Sequence, residues 1–168
     1  MSRLLGLALV LLAAAAGGAS AAPRAPHACT GAQLTGTFSA IRGSEGAGNI
    51  EYRLVVENRS HTTCTMNGLP AGTLLNKAGK PQTTHVINVG GNTIALLIPL
   101  AHGEKTHATA RFSPDVPGVG EGAAGKPCEP ASHWFRLNAP GGGTVKVKLS
   151  PATSVCEHGR LQFSYWGH

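Results

Sequence analysis

From Leu34 onward the chain alternates between apolar and polar positions with a period of two. Leu34, Gly36, Phe38 and Ala40 fall on one side of the repeat, and Thr35, Thr37 and Ser39 on the other. Ile50, Tyr52, Leu54 and Val56 then alternate with Glu51, Arg53, Val55 and Glu57. Successive side chains of an extended chain point to opposite faces, so each run predicts a strand with one face in a core. Arg42–Asn49 is Gly-rich and predicts a turn. Gly72–Leu75 predicts a short strand closed by Asn76-Lys77-Ala78-Gly79. Val86–Val89 and Thr93–Ile98 flank Gly90-Gly91-Asn92 and predict a hairpin. Thr106–Phe112 places Ala108, Ala110 and Phe112 on one face, and Trp134–Leu137 is a further strand. Val145, Val147 and Leu149 alternate with Lys146 and Lys148; Leu161, Phe163 and Tyr165 alternate with Gln162, Ser164 and Trp166. Ser113–Lys126 has no apolar period and predicts a long loop. About eight short strands punctuated by turn residues predict an all-β fold, an antiparallel β-sandwich.

Composition narrows this further. The 23 Gly and 11 Pro make up about a fifth of the 168 residues, against a usual share of about 12%. Interior Gly and Pro cost a helix roughly 1–3 kcal/mol each, which excludes a long helical bundle. The formal net charge is +6, but the basic residues, among them Arg42, Arg53, Arg59, Lys77, Lys80, Arg111 and Lys146, are scattered. A nucleic-acid surface concentrates them with stacking aromatics between, so no nucleic-acid partner is expected.

The N-terminus reads as a secretory signal peptide over residues 1–21, removed after Ala21. Arg3 supplies the positive end, Leu4–Ala16 the apolar run, and Ala19 and Ala21 the small residues before the cut. An apolar run of thirteen residues falls short of the ~20 that span a bilayer, so no transmembrane segment is expected after cleavage. Residues 22–28 read as a short flexible leader and 29–168 as a single domain, monomeric, secreted and extracellular. Four Cys in an exported chain imply two disulfides. Three pairings exist; Cys29–Cys64 with Cys128–Cys156 is favoured because it avoids long interleaved closures. No C-x-x-C occurs, which disfavours a zinc knuckle or redox dithiol.

Val55-Val56-Glu57-Asn58-Arg59-Ser60, Cys64-Thr65-Met66-Asn67-Gly68-Leu69-Pro70 and the turn Asn76–Gly79 together resemble the secreted actinobacterial DUF4232 family, a domain of unknown function. The likeness continues through Leu100-Ala101-His102-Gly103, where the family usually has Pro before the Gly, and through Cys128-Glu129-Pro130 and Val155-Cys156. It runs from Cys29 to near the C-terminus and implies an immunoglobulin-like sandwich, export and no established activity. Within Cys64–Pro70, Gly68 is expected to take positive φ and Pro70 to fix entry into the next strand.

No catalytic constellation can be assembled, and neither an enzyme nor a cofactor is expected. Asp115 is the only Asp. Gly43-Ser44-Glu45-Gly46 is one residue out of register for a nucleophile elbow. His102-Gly103-Glu104-Lys105-Thr106-His107 lacks the H-E-x-x-H order. The eight His are the unusual feature; His102 and His107 are weak candidates for a metal, although Met66 is the one Met left after signal removal. The expected function is a secreted non-catalytic binding or envelope-associated module with an unknown extracellular partner. The alternatives are an extracellular Cu or Zn protein using surface His, or a protease inhibitor displaying the Ser113–Lys126 loop.

Overall fold

A computed structural model describes residues 26–89, 95–122 and 128–167. The expected signal peptide and the Gly90-Gly91-Asn92 turn lie outside the described residues. The strands are β1 (His27–Ala28), β2 (Leu34–Ala40), β3 (Ile50–Asn58), β4 (Cys64–Met66), β5 (Ala71–Leu75), β6 (His85–Asn88), β7 (Ile98–Leu100), β8 (Lys105–Phe112), β9 (Ser132–Asn138), β10 (Thr144–Thr153) and β11 (Arg160–Phe163). They form an eight-stranded sheet, β5-β9-β10-β2-β3-β8-β11-β6, and a three-stranded one, β1-β4-β7. The two pack as a sandwich bordering on a barrel. Most pairs are antiparallel; β1–β4, β2–β10 and β6–β11 are parallel.

The period-two residues build the core as the alternation requires. Leu34, Phe38, Tyr52, Leu54, Val56, Ala108, Ala110, Phe112, Val145, Val147 and Leu149 are all buried. Phe38 on β2 meets Phe135 on β9 and Phe163 on β11 with ring centres 5.7 and 5.8 Å apart, and Phe135 meets Phe163 at 5.8 Å. β9 and β11 lie second from either edge of the large sheet, so this triad shows the sheet rolled onto itself. Each buried Phe contributes about 1.5–3 kcal/mol by removal from water, and each ring pair about 0.5–1.5 kcal/mol more. Beyond β11 the chain stays beside β8: Ser164 N–H donates to the Thr109 carbonyl, and His107 and Gly167 exchange backbone hydrogen bonds.

Three expectations change. Among the described residues, eleven strands stand where about eight were expected, because β1, β4 and β7 have only two or three residues and no period to read. Among the described residues, the expected hairpin between Val86–Val89 and Thr93–Ile98 shows no pairing: β6 runs parallel to β11, while Ile98–Leu100 joins Cys64–Met66 in the other sheet. The leader ends earlier than residue 28, since His27 and Ala28 pair with Cys64 and Thr65.

Both favoured disulfides are present, Cys29–Cys64 and Cys128–Cys156. The first ties the residue after β1 to the start of β4. Gly68 has φ +73°, and the residue after Pro70 opens β5, as the corner motif requires. No helix among the described residues is long and apolar enough to cross a membrane.

Candidate functional site

The outward residues of β2, β3 and β8 form an open polar face. The register Thr35↔Glu57↔Lys105 and Thr37↔Val55↔His107 places these side chains in rows on the side opposite the core. Arg53 and Arg111 extend the same face. A shallow cleft of about 170 Å³ opens there, lined by Thr35, Gly36, Thr37, Val55, Glu57, Arg59 and Lys105. Glu57 Oε1 is 3.0 Å from Arg59 Nε, and its Oε2 is 3.6 Å from Lys105 Nζ. The Glu57 side chain is 15% exposed whereas Arg59 and Lys105 are 65% and 62% exposed. Two cations therefore share one carboxylate that lies beneath them, and positive charge is left facing solvent. Neither exposed pair adds more than about 1 kcal/mol to stability. Their chemical capacity is to receive an anionic group over hydroxyl-bearing strands. A second depression, near Glu45, Asn49 and Asp115, carries the opposite charge.

The end of the sandwich is organised by Asn58, the last residue of β3 and fully buried. Its Nδ2 donates to the Thr62 and Leu100 carbonyls, both at 2.8 Å, while its Oδ1 accepts from Ser60 N–H at 2.9 Å and Ser60 Oγ at 2.7 Å. This draws the β3–β4 turn, with His61, against the β7–β8 turn, with His102. The two imidazole centres stand 5.0 Å apart and their planes differ by 26°. His102 Nδ1 lies 3.0 Å from the Ser60 carbonyl. His107 is placed elsewhere, on the outer face opposite Val55. The structure thus joins His102 to His61, and His107 to the cationic face.

Among the described residues, one group of three potential metal donors converges: Glu121, Glu129 and His158. Two of its members, Glu121 and His158, are already engaged. Glu121 Oε2 accepts from Gly118 N–H and Glu157 N–H, each at 2.7 Å, and its Oε1 accepts from His158 N–H. Glu157 and His158 hold left-handed backbone at φ 55° and 57°, which aims two consecutive N–H groups at the carboxylate. Burial alone would raise the Glu121 carboxyl; the backbone donors Gly118, His158 and Glu157, with the His158 ring, outweigh it and hold the group below the usual carboxylate range. His158 faces acceptors from both ring nitrogens, Glu121 Oε1 at 3.3 Å and the Val119 carbonyl at 3.1 Å. Each of its ring nitrogens therefore already has a protein oxygen beside it. The group latches the 113–122 part of the long loop to the turn beside Cys156, so that part is fastened rather than loose.

Ser44, from the displaced elbow motif, accepts from Glu51 N–H and donates to the Glu51 carbonyl, closing a turn. Asp115 lines the acidic depression. Sequence reading missed the cleft because Glu57 meets Lys105 only through strand register; the Glu57-x-Arg59 spacing was its one visible trace.

Fold and site define a disulfide-stapled β-sandwich with an open cationic face and a paired-imidazole corner. A model of the family Domain of unknown function (DUF4232) matches residues 29–167, and the chain belongs to that family. No curated protein and no solved structure matches the chain.

Proposed function

We propose that the protein is exported, loses residues 1–21, and acts outside the cell as a monomeric, non-catalytic module that binds an anionic polymer of the cell envelope. The observation that carries this is the excess of cations on the β2–β3–β8 face, where Arg59 and Lys105 stand exposed over the single carboxylate of Glu57. A flat sheet face with rows of Thr hydroxyls suits an extended chain better than a compact small molecule, which needs a concave site. The disulfides fit an oxidising compartment.

The test uses the mature chain, poly(glycerol phosphate) as probe, and neutral dextran as control. Binding is expected to the phosphate polymer alone and to weaken with salt. Arg59→Glu with Lys105→Glu should abolish it. Lys77→Glu with Lys80→Glu, outside the cleft and equal in charge change, should leave it within about twofold. Equal losses in the two double variants would reduce the effect to net charge and overturn the proposal.

A further inference from the structure

We infer that His61 and His102 form a binding site for a divalent transition metal, Cu(II) in preference to Zn(II). Three observations converge. The first is separation: two imidazoles bound to one ion through bonds of about 2 Å, at cis square-planar or tetrahedral angles, hold their ring centres about 4.5–5 Å apart, and these stand at 5.0 Å. The second is the proton. A ring nitrogen facing a carbonyl must donate, so the contact of His102 Nδ1 with the Ser60 carbonyl leaves the Nε2 of the neutral ring with an open lone pair. An imidazole whose other nitrogen is fixed on a backbone carbonyl has the orientation seen in metal-bound histidines.

The third is preorganisation. Both turns hang from Asn58, whose side chain bonds to the Thr62 and Leu100 carbonyls and whose backbone bonds to Gly103 and Glu104. The ion therefore meets two rings already brought together. Among the described residues, no hydrogen-bond partner occupies His102 Nε2 or either nitrogen of His61. The His158 ring is the opposite case, spent on Glu121 and Val119. Two neutral imidazoles with the remaining positions open to water favour borderline ions, and the order of affinity for such nitrogen sites puts Cu(II) above Zn(II). The site is independent of the cationic face.

Calorimetric titration of the untagged mature chain with CuCl2 and with ZnCl2 tests this. One equivalent of each ion should bind, at micromolar strength for Cu(II). Its paramagnetic resonance spectrum should show coupling to two imidazole nitrogens. His61→Ala and His102→Ala should each weaken Cu(II) binding at least about tenfold, whereas His107→Ala and His158→Ala should not. The His61 and His102 rings are exposed, so the melting temperature without metal should hold in the His61→Ala and His102→Ala variants. No heat at millimolar metal, Zn(II) bound more tightly than Cu(II), or undiminished binding in the His61→Ala, His102→Ala double variant overturns the proposal.

Discussion

Asn58 fills all four hydrogen-bonding positions of its amide within the protein, and two separate pieces of chain, the β3–β4 turn and the end of β7, depend on it. Removing a buried partner leaves the groups it satisfied without water or replacement, at about 1–3 kcal/mol for each. Asn58→Ala takes a donor from the Leu100 carbonyl, which is buried, and frees the Ser60 N–H; the exposed Thr62 carbonyl keeps Ser60 Oγ at 3.0 Å. Asn58→Asp keeps the shape but not the donors, and sets a carboxylate against two carbonyls. We expect both variants to lose about 1–3 kcal/mol in urea unfolding, with the isosteric Asp no milder than Ala. An Asp variant close to wild type would mean that the amide donors contribute little. Asn58 was visible in sequence as part of a recurring motif at a strand end. Its role was not, because the two carbonyls it reaches belong to residues four and forty-two positions away.

At the scale of elements, long strands were legible and short ones were not. β2, β3, β8 and β10 each carry at least three alternations with one face largely apolar, and tertiary structure had no reason to overrule them. β4 is buried at all three residues and β7 spans three, so neither has a period to show. The same limit separated His102 from its neighbour. Sequence proximity suggested His107, whereas the docking of two turns supplies His61. The loop after β8 showed no apolar period, and nothing in its sequence signalled that one carboxylate holds its described part. Glu121 titrates lower in the folded chain than the usual carboxylate, so its latch stabilises the protein above the ordinary Glu range and that stabilisation is lost as pH falls through the range to the lowered value. Glu121→Gln has one acceptor oxygen where the carboxylate has two, and its amide hydrogens would confront backbone donors. The melting temperature of wild type should exceed that of Glu121→Gln at pH 7, and the gap should close on acidification below about pH 4. Hydrogen exchange at the Glu157 and His158 amides should quicken over the same interval. A gap that stays constant into strong acid would show that the carboxylate charge is not what fastens the loop.

For the molecule as a whole, the disulfides act at opposite ends of a sheet system whose halves are covalently unlike. The large sheet holds together through pairs of long strands, but the small one rests on pairings of two and three residues. Cys29–Cys64 closes a separation of 35 residues across that small sheet, and both its Cys are fully buried. Cys128–Cys156 closes 28 residues and sits beside the Glu121 latch. Chain entropy alone assigns each bridge about 3.5–4 kcal/mol, with little to choose between them. Their surroundings differ, however. Cys29→Ala with Cys64→Ala also removes two buried sulfurs from the core and frees β1, the strand bearing His27, whereas Cys128→Ala with Cys156→Ala removes one buried sulfur, that of Cys156, and frees a loop that Glu121 still holds. Loss of the first bridge should therefore cost more than loss of the second. Non-reducing mass spectrometry of the intact chain should find both bridges intramolecular, and urea unfolding of the two double variants should rank them in that order. The reverse order would place the weak point of the fold in the long loop rather than in the small sheet.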